Sequence, residues 1–263
     1  YIMRKIINYI LVCLFCSVNI QAQSISSSVI ASTGGYFSDG NGSLSFTVGE
    51  SNTQSLATGN QLITQGFQQS YRLVINLKAY IQGYYQGGGS LANVLYNQGV
   101  VATPNSECDT VMIEFRRATP PYETAFTTTK VLQTDGQLVC DGVTLGGQPY
   151  YLVLKHRNSI ETWSAAPVTV DNNNVAYDFT VGANKAYGDN QVEVEPGVWA
   201  IYSGELVKDG NIDISDYAVW ENDYNNLVYG YFASDLNGDG NVDISDYTIF
   251  EYNYGNLVSA VIP

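Results

Sequence analysis

Positive charge is scarce. The 263-residue chain has 11 Lys and Arg against 25 Asp and Glu, for a formal charge of −14. That shortage argues against general nucleic-acid binding, which needs clustered Lys and Arg. Charged residues of both signs make up only 14% of the chain and aromatic residues 13%, which argues against a largely disordered chain. Histidine occurs once, at position 156. No zinc-binding, phosphate-loop or nucleophile-elbow motif is present. Beyond residue 22 no apolar run is long enough to cross a bilayer. What the chain has instead is 21 Tyr and 25 Gly, with frequent Thr and Val. That composition predicts β-structure joined by polar loops, not a helical bundle.

Residues 1–22 read as an export address. Met3 is the expected start, Arg4 and Lys5 give a positive leader, and Ile6 to Val18 is apolar. Ile20-Gln21-Ala22 then offers a small residue for cleavage, as in a secretory signal peptide. The run is too short for a membrane anchor. The expected mature chain begins near Gln23 and is secreted or displayed at the cell surface, with no membrane span. Losing Arg4 and Lys5 takes the basic count from 11 to 9 and the charge from −14 to −16. Of the four cysteines, Cys108 and Cys140 remain. In an oxidising compartment two cysteines predict a disulfide over a metal site. It would stabilise by roughly 3–4 kcal/mol in the chain-entropy model. Two free buried thiols are the alternative.

Residues 23–71 contain alternating runs such as Ser43 to Val48, set off by Asp39-Gly40-Asn41-Gly42 and Ala57-Thr58-Gly59-Asn60. These predict β-hairpins. Residues 72–203 continue with strand-like runs at Leu73 to Tyr80, Thr110 to Phe115, Lys130 to Gln133, Tyr150 to His156, Val175 to Thr180 and Val198 to Tyr202. Short strands at this spacing predict an antiparallel β-sandwich, with a short helix over Ser90 to Leu95. Thr134 to Val139, Gly142-Val143 and Gly147 to Leu154 resemble the strand–turn–strand signature of the prealbumin-like sandwiches of collagen-adhesin B-type and carboxypeptidase-regulatory-like domains, within an expected prealbumin- or Ig-like fold class. That resemblance implies a spacer or adhesive unit.

The sharpest signal lies in residues 204–263. Asp209-Gly210-Asn211-Ile212-Asp213-Ile214-Ser215-Asp216-Tyr217 returns thirty residues later as Asp239-Gly240-Asn241-Val242-Asp243-Ile244-Ser245-Asp246-Tyr247. The second copy places Asp235, Asn237, Asp239, Asp243 and Asp246 at positions 1, 3, 5, 9 and 12 of a twelve-residue loop. Gly240 stands at position 6 and the carbonyl of Asn241 at position 7. That oxygen spacing predicts a calcium site. Val242, at position 8, is expected in a core shared with the other loop. The first copy keeps Asp209, Asn211, Asp213 and Asp216 but has Glu205 at position 1 and Val207 at position 3. A valine offers no side-chain oxygen, so the first site is expected to be weaker.

An Asp at position 12 and two loop–helix units without an entering helix resemble dockerin repeats. The resemblance implies a small α-helical calcium-binding domain, with Ca2+ as cofactor. It also implies that Ile214, Ser215, Ile244 and Ser245 contact a cohesin-like partner. The helical stripes Tyr217, Trp220, Tyr224, Leu227 and Tyr247, Phe250, Tyr254, Leu257 are expected to form the mutual core of two antiparallel helices. The Ser-rich beginning, the Lys155 to Ser164 run, Ala186-Tyr187-Gly188 and the repeat together resemble secreted modular surface proteins of the Bacteroidota.

Nothing assembles an active site. His156 lies beside Arg157 and near Glu161, but no nucleophile accompanies it. Glu193 and Glu195 share one face of a strand, which more often marks a solvated face than a glycosidase pair. Tyr80, Tyr84, Tyr85, Trp163 and Trp199 would suit a glycan if they formed an exposed row. The expected protein is therefore a mainly β, non-catalytic, exported docking or spacer module. The alternative is a carbohydrate-binding accessory to polysaccharide degradation. From Glu205 onward there are 11 acids against Lys208 alone, so the segment with the calcium loops holds −10 of the expected mature −16.

Overall fold

The computed structural model describes residues 73–145, 147–170 and 175–263, and four strands before them. The expected leader, residues 1–22, lies outside the described residues. The chain divides into two compact units, 1–70 and 71–263.

In the first unit β1 (Thr33–Asp39) pairs antiparallel with β2 (Gly42–Val48), Asp39 opposite Gly42. β3 (Leu56–Thr58) pairs likewise with β4 (Gln61–Ile63).

The second unit opens with β5 (Leu73–Lys78), whose residues alternate buried and half-buried, the pattern of a strand with one face on a core. After β6 (Tyr85–Gly87) and β7 (Ser90–Leu91) comes a single helical turn, α1 (Val94–Asn97). The helix predicted at Ser90 to Leu95 thus begins four residues later. Ser90 and Leu91 instead pair with β6 across three glycines of positive φ. The long β8 (Glu107–Arg117) and β9 (Thr124–Gln133) follow, then β10 (Gln137–Val143) and β11 (Pro149–Lys155). β12 (Thr162–Trp163), β13 (Val168–Thr169), β14 (Val175–Asp178), β15 (Val192–Glu195) and β16 (Val198–Ala200) complete the strands.

Two sheets share one apolar core. One has the order β10–β5–β14, the other β12–β11–β8–β9 with β13 also on β11. Ile75, Leu77, Leu138 and Cys140 from the first sheet meet Cys108, Ile113, Phe115, Leu132, Leu152 and Leu154 from the second. Each such aliphatic or aromatic side chain, fully buried, contributes roughly 1.5–3 kcal/mol. The sandwich is not wholly antiparallel: β14 runs parallel to β5, Val175 opposite Ile75. Alternating apolar residues specify a strand but not its direction. The outer face of β11 is also covered. Tyr151, Val153 and Trp163 form a second cluster there, with the Arg116 guanidinium 4.8 Å from the Trp163 ring.

The expected disulfide is a correction. Cys108 and Cys140 are free thiols, both buried. They stand on strands of different sheets and each packs in the core as a small apolar group. Burial pushes the Cys140 thiol up to about 11 and Cys108 higher still, so both stay protonated and unreactive.

Candidate functional site

Two loop–helix units close the chain: loop Glu205 to Asp216 runs into α2 (Ile214–Asn225), and loop Asp235 to Asp246 into α3 (Ile244–Gly255). Each helix starts the same way. The N-cap is Asp213 or Asp243, whose side chain accepts from the backbone N–H of Ser215 or Ser245. Asp216 or Asp246 reaches back to accept from the N-cap N–H, completing a capping box.

The same carboxylates draw each loop closed. In the second loop Asp235 accepts from the N–H of Gly238 and of Gly240, each at 2.8 Å. Asp246 accepts from Leu236 (2.7 Å), Asn237 (3.0 Å) and Asp243 (2.9 Å). Asn237 and Asp239 accept from the N–H two residues on. The first loop repeats this. Glu205 accepts from Lys208 and Gly210, and Asp216 from Leu206, Val207 and Asp213. The extra methylene of Glu205 therefore still permits the position-1 contacts.

The two units are joined by exchanged backbone bonds. Ile212 N–H donates to the Val258 carbonyl at 2.9 Å, and Val242 N–H to that of Val228 at 3.2 Å. Position 8 of each loop is buried as expected. However, it bonds the chain leaving the other unit's helix, not the other loop. Tyr217, Trp220, Tyr247 and Phe250 form a ring cluster between the helices, with centroids 5.0–6.3 Å apart. The stripe is shorter than expected. Tyr224 and Tyr254 stack on its edge, 38% and 41% exposed. Leu227 and Leu257 are 80% and 82% exposed. Both leucines adopt left-handed backbone, φ 52 and 54, one residue past the C-caps Asn226 and Asn256 in a Schellman closure where glycine is usual. That turn carries their side chains off the helix face.

The loops differ in how charge is balanced. Asp235 and Asp246 are fully buried, and among the described residues neither has a Lys, Arg or His within ion-pair distance. Burial raises both, Asp246 to about 7. No three His, Cys, Asp or Glu side chains form a metal cluster among the described residues. The second loop's donors are carboxylate, amide and backbone oxygens together, the set that suits a hard cation. Two buried carboxylates without a counter-charge are what such a cation would stabilise. In the first loop Lys208 occupies the place of Gly238. Its ammonium donates to the carbonyls of Glu205 (2.5 Å) and Ser159 (3.3 Å). Burial pushes it down to about 8, opposed by Glu205 and Asp216. Val207, at position 3, is exposed.

Loop 2 also sits hard against the β body. A Cβ on Gly238 would lie 2.5 Å from Val94 Cγ2. One on Gly240, whose φ is +95, would collide with the Asn97 carbonyl. Asn97 Nδ2 donates to the Gly238 carbonyl at 2.9 Å, and Asn158 Nδ2 to that of Asp235 at 3.2 Å. Beneath lies a buried polar network. Asp109 accepts from Arg157 Nε (2.8 Å) and from the Tyr231 hydroxyl (2.6 Å) and faces His156 Nε2 at 3.2 Å. Arg157 also donates to the Tyr84 hydroxyl and the Phe232 carbonyl. These contacts, chiefly the donors His156, Arg157 and Tyr231, outweigh burial and hold Asp109 far below the usual carboxylate range. Burial pushes His156 down.

No family model and no curated protein matches the chain. Two solved structures of a type II cohesin–X–dockerin complex from Acetivibrio cellulolyticus are similar to it. One is an N-terminal and the other a C-terminal interface mutant. The identities are 12% and 11%, the TM-score is 0.42 for each, and the matches cover 69% and 71% of this chain and 95% and 97% of theirs. Values this low establish neither a shared fold nor a shared partner.

The remaining predicted residues fall as follows. Ile214 and Ile244 are each 62% exposed, and Ser215 and Ser245 beside them are exposed too. Tyr80, Tyr84 and Trp163 are buried and form no exposed row. Tyr85 donates to Glu195, and Glu193 accepts from the Gly197 N–H, so both glutamates close turns. Sequence reasoning missed Asp109, Gln98 and Tyr231. Each meets its partner across more than fifty residues or from another strand, and no local spacing signals that.

Proposed function

We propose that residues 204–263 are a dockerin-like, calcium-dependent docking tail carried on a non-catalytic β body of an exported protein. Asp235, Asn237, Asp239, Asp243, Asp246 and the Asn241 carbonyl would hold one Ca2+. Calcium would supply the positive charge that the buried pair Asp235 and Asp246 lacks. Glu205, Asp209, Asp213, Asp216 and the Asn211 carbonyl would bind more weakly, because Val207 gives no oxygen and the Lys208 ammonium already lies close. The partner face is Ile214 with Ser215 and Ile244 with Ser245, and the partner a cohesin-like protein.

One observation carries the reading. Two units related by a 30-residue repeat expose the same Ile-Ser pair, with Ile214 and Ile244 each 62% exposed. The strained, exposed Leu227 and Leu257 agree, since bulky residues keep positive φ only where something else rewards it. A carbohydrate-binding role is disfavoured by the burial of Tyr80, Tyr84 and Trp163. The test is capture of a cohesin-like domain by the full chain, with calcium and with chelator. Binding should need calcium and fall at least tenfold when Ile214, Ser215, Ile244 and Ser245 are all changed to Ala. Binding that survives both treatments would refute the docking role.

A further inference from the structure

The two position-1 carboxylates are held differently. Among the described residues the Glu205 carboxylate accepts only from the backbone N–H groups of its own loop, Lys208 and Gly210. Asp235 accepts the equivalent pair and also a side chain from the β body, Gln98 Nε2 donating to Oδ2 at 2.5 Å. Gln98 follows α1 and is 5% exposed. Its carbonyl oxygen accepts from Arg157 Nη2 at 2.7 Å. A donor on one side and a carboxylate on the other fix which way the amide points. Arg157 is in turn fixed by Asp109, and its guanidinium lies 4.3 Å from the Tyr231 ring. Three of its nitrogens thus serve four acceptors, which a lysine cannot do.

We propose that this relay, Asp109 to Arg157 to Gln98 to Asp235, positions the first ligand of the second calcium loop, so that cation uptake there is coupled to the seating of the tail on the body. The proposal rests on the calcium reading above. Gln98 and Arg157 are positioning residues. They lie outside the twelve-residue loop and touch a ligand, not the ion. Outer partners of metal ligands commonly change affinity ten- to a hundredfold when removed. The coupling also runs backwards: an ion that fixes Asp235 stiffens the contacts of Gln98 and Arg157 with the tail.

The experiment is calorimetric titration of the full, chelator-treated chain with calcium alone. It compares wild type, Gln98→Ala, Arg157→Lys and the loop variant Asp239→Ala. Thermal melts in chelator show which variants are folded at the titration temperature. The relay predicts wild-type binding that weakens roughly tenfold or more in Gln98→Ala and in Arg157→Lys, while both stay folded. It also predicts a smaller calcium-induced rise in Tm for both. A merely structural role would lower Tm in chelator and leave calcium affinity unchanged. If Gln98→Ala does not fold, Arg157→Lys decides. Wild-type binding that is lost in Asp239→Ala but unchanged in both relay variants overturns the relay and leaves the calcium reading standing. No calcium binding by wild type overturns both.

Discussion

Asp109 has no exposed surface, yet its carboxylate stays charged because Arg157, His156 and Tyr231 converge on it. Removing Arg157 would strand that charge in the core. Arg157→Ala should therefore cost about 3–5 kcal/mol, read as a lower urea midpoint with unchanged slope. The same cluster predicts acid sensitivity. The folded His156 value is depressed by burial, so the unfolded chain takes up the proton first, from about pH 6.5 downward. Stability is present above that pH and falls below it until the folded His156 also protonates. Asp109 is depressed too. Its contribution is complete above about pH 4 and is lost as pH falls further. Urea unfolding of wild type, His156→Gln and Asp109→Asn from pH 8 to pH 3 checks this. The first loss should vanish in His156→Gln and the second in Asp109→Asn. Only part of this cluster was legible in the sequence. His156 and Arg157 stand out as the lone histidine and its neighbour, but Asp109 lies 47 residues upstream on β8. Gln98 is a neutral amide that no charge pattern marks.

At the scale of elements, the 30-residue repeat specified two loop–helix units, and the structure contains both, down to matching N-caps and exchanged backbone bonds. Where the reading failed, a local conformation overrode periodicity. Leu257 continues the i, i+3, i+4 stripe, but the helix ends before it and its positive φ turns it outward. Phe250→Ala should cost about 3–5 kcal/mol, whereas Leu257→Ala should stay within about 0.5 kcal/mol. Chemical denaturation of the two variants separates them, and equal losses would show that Leu257 belongs to the core. Gly238 gives a further check. Its Cβ would strike Val94, and its φ is +75, so Gly238→Ala should destabilise by about 1–3 kcal/mol. The equivalent position of the first loop carries the long side chain of Lys208 at φ 68, so this steric clash belongs to the second loop. In the body, composition and alternation predicted the strands but not the parallel pairing of β14 with β5, which depends on a crossover that no local pattern encodes.

At the scale of the molecule, the strong acidity of the chain has a location. Residues 205–263 hold 11 of the 25 acids against one lysine; the first loop has that lysine, Lys208, beside its carboxylates, while the second has buried carboxylates with no cation beside them among the described residues. The tail is not a free module on a linker. Residues 71–263 form one compact unit. Ile160 of the body lies in the tail's apolar cluster, and Asn253 of α3 donates to the Ser203 carbonyl and to Gln82. Changes in the second loop should therefore reach the sandwich. The central claim is that this loop binds calcium, and the most direct test is calorimetric titration of the full, chelator-treated chain with calcium. One strong site is predicted, abolished by Asp239→Ala and retained in Asp209→Ala, with a Tm that rises on binding. A titration with no calcium heat and no change in Tm would contradict it.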